Sequence, residues 1–247
     1  MRKYYAFLLI LSLAAACTAP KEEKGMASNE EEFVWKTEQF ADLKIIRYQI
    51  PGFEKLTLEQ QKLAYYLTQA GLSGRDIIWD QNYRHNLAIR TALENIISNF
   101  DGDKNADEWK AFMVYAKRVW FSNGIHHHYS NAKIAPDFSA EYFETLLTAT
   151  STVMNEEAKT AIFDMENDIK KVNLDPAKGL LAGSASNFYG ANVTNADVEN
   201  FYKAKESPNP EKPLSHGLNS QLVKENGVLK ERVYKSGGLY GSSIDEI

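Results

Sequence analysis

Three consecutive histidines, His126, His127 and His128, form the densest group of potential metal ligands or general bases in the chain. Neighbouring side chains of an extended segment point to opposite faces, so only His126 and His128 would face the same ligand. Zinc usually needs three or four converging donors, and the sequence contains no HExxH motif. His85 and His216 have no matching spacing. The histidine run therefore favours a polar loop beside a cleft over a metal centre.

A second group of potential ligands is a run of oxygen-bearing side chains at alternate positions: Asp101, Asp103, Asn105 and Asp107. This spacing is typical of the first half of a helix-loop-helix calcium site. However, Ala106 stands where the sharp turn needs glycine, and Phe112 stands where the last ligand should be glutamate. The other interpretation, a polar loop leading into a helix, accounts for all of these residues.

Motifs for nucleophilic or phosphate chemistry are missing from the sequence, which has no G-x-S-x-G elbow, no P-loop and no G-x-G-x-x-G. The glycine- and serine-rich stretch 179–190 lacks the spacing of a phosphate loop. The single cysteine, Cys17, cannot act as a nucleophile if it carries lipid. The residue types and their spacing therefore predict no catalytic site within this chain.

The first seventeen residues have the pattern of a lipoprotein signal peptide. Arg2 and Lys3 precede an apolar run over residues 4–13, and three alanines then lead to Cys17. The apolar run is shorter than the roughly 18 to 20 residues that span a bilayer, which indicates a cleaved export signal. We expect Cys17 to be lipidated and to anchor the protein to a bacterial membrane in the cell envelope, on its periplasmic or cell-surface side. Ordinary secretion with a free Cys17 is the alternative.

Residues 18–32 are rich in lysine and glutamate and contain little that could form a core, so we expect a flexible tether. The remaining residues, 33–247, are enough for one large domain or two small ones. A net charge of -5 supplies no long-range attraction for nucleic acid, which we therefore do not expect as a partner.

Hydrophobic periodicity predicts two short strands followed by helices. Apolar and polar residues alternate over residues 33–53, as in strands. Helical spacing then marks two segments, 56–67 and 87–97. Asn105 and Glu108 have the spacing of a capping box, which predicts the start of a helix that ends before Gly124.

Three more helices are predicted to start after Ser139, Asn155 and Thr194. The middle one has apolar residues at helical spacing over 158–169. Asn226-Gly227 predicts a β-hairpin that joins residues 218–224 to residues 228–235. The predicted fold class is α+β, predominantly helical with a small antiparallel β portion.

A last capping box, Ser243 with Glu246, predicts the start of a helix immediately before Ile247. A helix needs several turns to bury an apolar face. We therefore expect the natural chain to continue past Ile247.

Several segments resemble the dipeptidyl peptidase III family. They are residues 111–115 (AFMVY), 121–124 (FSNG), His128-Tyr129 and 133–136 (KIAP). Segments 58–72, 187–190 (NFYG) and 229–234 agree with the family in order and spacing. The resemblance spans residues 33–247, whereas the family's HExxGH zinc motif and its later glutamate motif do not occur in this chain.

The resemblance implies a two-lobed zinc metallopeptidase that removes dipeptides from the N-termini of oligopeptides. Residues 33–247 would be an incomplete N-terminal substrate-binding lobe. Zinc would be bound by residues beyond Ile247, in a missing C-terminal lobe, and this chain alone would be inactive. In this setting a zinc-activated water would attack the peptide.

By position, Tyr129 matches a family aromatic residue that lines a substrate subsite, and His128 matches its small polar neighbour. The resemblance therefore implies that His128 and Tyr129 bind substrate. The alternative for Tyr129 is packing on the surface of the lobe. Phe112, Tyr115 and Trp120 lie at helical spacing and are expected to belong to the core.

Two other functions remain open from the sequence. One is a non-catalytic peptide-binding lipoprotein, and the other is an inert structural lipoprotein of the cell surface. An in-frame continuation that encodes HExxGH would support the peptidase, whereas a stop codon after Ile247 would support the binding protein.

Overall fold

A computed structural model describes residues 33–173, 175–205, 209, 211–212 and 219–247. The predicted signal peptide with Cys17, the tether 18–32 and His216 lie outside the described residues. In the part of the chain that is described, none of the helices is long and apolar enough to cross a membrane.

The described residues form an α+β structure in which helices predominate, as predicted. The elements in chain order are β1 (Lys36–Phe40), β2 (Leu43–Ile46), α1 (Leu58–Ser73), α2 (Arg75–Asn82), α3 (Asn86–Asn99), α4 (Asp107–Ser122), α5 (Ala140–Ala149), α6 (Glu156–Phe163), α7 (Gly179–Ala182), α8 (Asn195–Lys203), β3 (Ser220–Glu225), β4 (Val228–Val233) and α9 (Gly241–Glu246). A 3-10 turn over Phe53–Lys55 precedes α1.

The strands form two separate antiparallel hairpins, β1 with β2 and β3 with β4. Asn226 (φ 51°) and Gly227 (φ 79°) both lie in the left-handed region at the second hairpin's turn. A two-residue turn of this kind matches the twist of the flanking strands. The two short strands and the hairpin at Asn226-Gly227 were predicted and are confirmed, whereas the pairing of β1 with β2 was not predicted.

Side-chain caps fix the starts of three predicted helices. Ser139, Asn155 and Thr194 each accept a hydrogen bond from the backbone N–H three residues later. Each bond satisfies one of the N–H groups that a helix start leaves without a partner. The predicted starts of α5, α6 and α8 are therefore confirmed.

The predicted cap of α4 is wrong, although the helix exists and ends before Gly124. Its N-cap residue is Ala106, which makes no side-chain cap. The Glu108 carboxylate instead accepts hydrogen bonds from the hydroxyl of Ser139 (2.7 Å) and from its backbone N–H (3.4 Å). Glu108 therefore joins α4 to the start of α5 and cannot cap its own helix.

Two other boundaries differ from the sequence prediction. Helix α6 ends at Phe163, so the helical pattern predicted to reach Ile169 is wrong. The Asp164 carboxylate accepts the backbone N–H groups of Glu166 and Asn167, which turns the chain out of the helix. Helix α9 begins two residues before Ser243, without the predicted capping box. Helix α2 was not predicted.

The main core lies among helices α2 to α6. Its largest fully buried side chains include Trp79, Tyr83, Ile89, Leu93, Ile96, Phe112, Phe143, Leu146 and Ile162. Phe112 and Tyr115 are buried as predicted, whereas Trp120 is half-buried and packs against this core. A smaller core joins α8 to β3 through Val193, Val198 and Leu222.

Helix α1 contrasts with this core because none of its residues is buried. Exposed Leu58, Tyr65 and Leu72 share one face of the helix at a spacing of seven, and exposed Leu63 and Leu67 lie on another. Helices with apolar residues on more than one face are normally covered. Among the described residues, α1 contacts α2 and α9, but its apolar side chains remain largely exposed.

Candidate functional site

Residues 125–134, called the histidine loop below, begin at the end of α4. Asn123 (φ 52°) ends the helix in the left-handed conformation, and Gly124 (φ 141°) follows it. Asn86, which is buried on α3, accepts a hydrogen bond from the backbone N–H of Ile125 at 3.2 Å and donates one to the carbonyl of Trp79 at 3.0 Å. The start of the loop is therefore fixed against α2 and α3.

The two arms of the histidine loop pair like a narrow hairpin. The N–H of Ile134 donates to the carbonyl of Ile125, and the N–H of His127 donates to the carbonyl of Ala132, both at 2.7 Å. This pairing leaves residues 128–131 as the tip of the loop.

His126 belongs to the interior of the protein, because it is only 2% exposed. Its Nε2 lies 2.6 Å from the carbonyl oxygen of Asp168, and its ring contacts Tyr83 edge to face at 5.4 Å. A carbonyl only accepts, so Nε2 carries the proton and Nδ1, which has no partner, is unprotonated. Burial is the main cause that lowers the pKa of His126.

His127 organises the tip of the loop. Its Nδ1 accepts hydrogen bonds from the backbone N–H groups of Tyr129 and Ser130, both at 3.2 Å. An acceptor Nδ1 places the proton on Nε2. The side chain of His127 thus replaces a backbone acceptor in the turn.

The two residues predicted to bind substrate, His128 and Tyr129, lie together at the tip. Their ring centroids are 4.4 Å apart, and the His128 ring also contacts Phe121 edge to face at 4.8 Å. Burial, followed by the neighbouring His127, lowers the pKa of His128. Tyr129 is 85% exposed, so its ring is free to contact a ligand from solvent.

The alternation of side chains suggested that His126 and His128 could face the same ligand. The structure does not bring them together. His126 is bonded to the Asp168 carbonyl inside the protein, whereas His128 packs on Phe121 at the tip. In the described ranges there is no group of three or more His, Cys, Asp or Glu side chains that could hold a metal ion.

A cavity of about 350 Å³ lies beside the inner arm of the loop. Its charged and polar lining comprises Tyr83, Arg84, His85, Lys133, Glu156, Glu157, Thr160, Asp164, Asn167 and Asp168. The Lys133 ammonium, only 8% exposed as a residue, donates to the carbonyls of Asp164 (2.6 Å) and Asn167 (2.9 Å). Burial lowers the pKa of Lys133.

Tyr83 and Arg84 both meet the carboxylate of Asp168 at this cavity. The Tyr83 hydroxyl donates to it at 2.8 Å, and the Arg84 guanidinium lies 3.8 Å from it. Burial and the Asp168 carboxylate raise the pKa of Tyr83, so its hydroxyl remains a donor at neutral pH. Burial and the adjacent Arg84 lower the pKa of His85.

A second cavity, of about 530 Å³, has Arg84 in common with the first. Its other polar residues are Ser184, Ser186, Asn187, Tyr189 and Gln221. Segment 187–190 forms one wall because it hydrogen-bonds to strand β3: the N–H of Leu222 donates to Phe188, and the N–H of Gly190 donates to Leu222.

No model of a known protein family matches this chain. The resemblance to dipeptidyl peptidase III thus depends on the segments quoted above. Among these segments, His128-Tyr129 and residues 133–136 include part of the histidine loop, and residues 187–190 form a wall of the second cavity.

The sequence did not indicate the residues that fix the inner arm of the histidine loop. They are Tyr83, Arg84, Lys133, Asp164 and Asp168. A signal existed in the run Tyr83-Arg84-His85, three polar side chains immediately before α3. The partners Asp164 and Asp168 are about eighty residues away along the chain, and no local pattern indicates them.

Protonation of His126 is expected to destabilise the protein in mild acid. The folded-state pKa is lowered, so the unfolded chain binds the additional proton first, and the free energy of unfolding falls as the pH drops below about 6.5. The contribution of one group is at most about 1.4 kcal/mol per pH unit.

The substitution His126→Gln preserves a donor for the Asp168 carbonyl but removes the titration. Urea denaturation of both proteins between pH 7.5 and 5.5 should give a flatter pH dependence for the variant. His85 titrates in both proteins, so its contribution cancels in the comparison. Parallel pH profiles would show that His126 does not titrate in this range.

Proposed function

We propose that residues 33–247 form the substrate-binding portion of a zinc-dependent dipeptidyl peptidase, with oligopeptides as ligands. The observation that carries the proposal is the tip of the histidine loop. There an 85% exposed tyrosine, Tyr129, contacts the ring of His128 on a loop that is fixed at both arms. An exposed aromatic ring on a rigid support gives a large contact area at a small cost in conformational entropy.

The surroundings of the loop support a peptide as the ligand. The two cavities that share Arg84 have volumes of about 350 and 530 Å³, within the range of small-molecule sites. Their linings combine amide, hydroxyl and charged side chains, which match the alternating donors and acceptors of a peptide backbone.

In this proposal the chain binds and orients the peptide, whereas zinc is held by a further lobe. The family's zinc motif is not in this sequence, and the zinc would supply an activated water for hydrolysis. The exposed apolar faces of α1 provide a surface on which further polypeptide could pack. A lipid on Cys17 would hold the protein at a membrane of the cell envelope.

We expect Tyr129→Ala to weaken peptide binding by about 5- to 30-fold, a loss of about 1 to 2 kcal/mol, as for an aromatic contact residue. The measurement is fluorescence anisotropy of a labelled pentapeptide with the full chain in mild detergent. Tyr48, which is 81% exposed, provides the matched control Tyr48→Ala. Equal affinities for the wild-type protein and both variants would refute the role of Tyr129.

Binding and catalysis need separate tests. The product of the intact gene should release dipeptides from the N-terminus of a pentapeptide, and a chelator should abolish that release. Peptide binding without release, in the presence of zinc, would identify a non-catalytic peptide-binding lipoprotein.

A further inference from the structure

Large apolar side chains are exposed at the open end of the first hairpin, defined here as residues 33–36 and 46–50. They are Val34, Trp35, Ile46, Tyr48 and Ile50. Each of them is at least 42% exposed. The two segments run side by side, because the N–H of Arg47 donates to the carbonyl of Trp35 at 2.6 Å. The open end therefore presents an apolar surface on two adjacent stretches of chain.

The turn of this hairpin, at its other end, is attached to helix α4. Glu38 forms an ion pair with Lys117, and the Asp42 carboxylate lies 3.8 Å from the Arg118 guanidinium. The ammonium of Lys117 also lies 5.6 Å from the centre of the Phe40 ring. Both acidic residues of the hairpin are used in these contacts, and none of the contacts involves the open end.

The open end is basic as well as apolar. Its charged residues are Lys36 and Arg47, and it contains no aspartate or glutamate. The Arg47 guanidinium lies 5.4 Å from the centre of the Phe33 ring. Tryptophan, tyrosine and basic side chains together are typical of surfaces that lie among lipid headgroups. The aliphatic stems of lysine and arginine can cover apolar surface there while their charges stay near the lipid phosphates.

The lipid expected on Cys17 would keep this end of the hairpin near a membrane. Fifteen residues separate Cys17 from Phe33, the first residue of the open end. A polypeptide extends at most about 3.5 Å per residue, so the two residues are within about 55 Å of each other in any conformation. A tether of this length makes contact with the bilayer an intramolecular event, for which a weak attraction is sufficient.

We propose that the open end of the first hairpin lies in the headgroup region of the membrane that carries the anchor. Trp35, Tyr48 and Ile50 insert among the lipids, and Lys36 and Arg47 face anionic headgroups. Because the turn of the hairpin is attached to α4, this contact orients the helical core relative to the bilayer. The inference rests on the lipid anchor of the proposed function, and not on peptide binding or catalysis.

Trp35 is a natural probe of this contact, because Trp79 and Trp109 are buried and Trp120 is half-buried. The full chain is expressed in bacteria, and the membrane-bound product is reconstituted in vesicles of phosphatidylcholine and phosphatidylglycerol. Phosphatidylcholine that is brominated near its headgroup should quench the tryptophan fluorescence. Trp35→Phe should reduce this quenching by about 3-fold or more, since an interfacial tryptophan lies at the level of the headgroups.

A charge at the open end tests the contact without removal of the probe. Ile50→Glu should reduce the quenching of Trp35 by about 2- to 3-fold, because anionic headgroups repel a carboxylate. Val153→Glu is the matched control: Val153 is 95% exposed between α5 and α6, outside the hairpin, and its change should leave the quenching as it is. Equal quenching in both variants would contradict the proposal.

Aqueous iodide distinguishes the remaining outcomes. Quenching of Trp35 by iodide and not by brominated lipid would show that the open end lies in water. Protection from both quenchers would show that protein covers it, as in contact with a second copy. Either result, or absence of the product from the bacterial membrane fraction, would overturn the proposal. Peptide binding and dipeptide release are measured separately, so their loss with lipid quenching intact would refute the peptidase alone.

Discussion

Gly124→Ala is expected to lower the free energy of unfolding by about 3 to 4 kcal/mol, the largest effect of any single substitution proposed for this protein. Gly124 has a φ of 141°, which an alanine adopts only with strain of about 1 to 3 kcal/mol. A β-carbon at this position would also overlap the side-chain amide of Asn86, and overpacking of this kind costs about 1 to 3 kcal/mol.

The clash would also displace the histidine loop, because Asn86 is the residue that accepts from the N–H of Ile125. Urea denaturation measures the stability. Gly227→Ala separates the two causes: its φ of 79° is also positive, but nothing lies within 4 Å of the added carbon. We expect this control to lose about 1 kcal/mol. Equal losses for the two variants would show that contact with Asn86 is unimportant.

Lys133→Met is expected to lower the free energy of unfolding by about 2 to 3 kcal/mol. The ammonium group donates to the carbonyls of Asp164 and Asn167, and hydrogen bonds from a charged group contribute about 1.5 to 3 kcal/mol each. Two effects reduce this loss of stability. Methionine does not require the desolvation of an ammonium group. Asn167 is exposed, so water can replace the hydrogen bond to its carbonyl.

Lys170→Met provides the matched control for Lys133→Met. Lys170 lies near the same loop, but its side chain is exposed, so the change should cost less than about 0.5 kcal/mol. Thermal or urea denaturation at constant pH gives both values. A similar loss at both positions would assign the effect to total charge and not to the two carbonyls.

Local patterns predicted the elements whose start or turn is specified by neighbouring residues. Ser139, Asn155 and Thr194 cap helices with their own side chains, and Asn226-Gly227 adopts the left-handed turn that its sequence favours. In each case the partner group is within three residues, and the pattern in the sequence contains the whole interaction.

Predictions were wrong where a distant residue competed for the same group. Glu108 had the spacing to cap α4, but Ser139 donates two hydrogen bonds to it from the next helix. The apolar spacing of α6 extended to Ile169, but Asp164 binds the following N–H groups and the carbonyl of Ile169 accepts from the N–H of Lys133. Periodicity alone does not show such competition.

The candidate site was predicted only in part, for the same reason. The histidine run indicated a polar loop, and Tyr129 is exposed at its tip, whereas His126 is buried. That His128 and Tyr129 bind substrate stays a prediction. The supports of the loop, among them Tyr83 and Lys133, find their partners across the fold. Such contacts exist only after the helices have packed.

The exposed helix α1 has a consequence for how stability changes with temperature. The heat capacity change of unfolding comes mainly from apolar surface that is buried in the folded state and exposed in the unfolded state. Because no residue of α1 is buried, melting this helix adds little to that change. Within the described residues, the curvature of the stability profile, and with it any loss of stability in the cold, is therefore set mainly by the core of helices α2 to α6 and by the smaller core of α8 and β3.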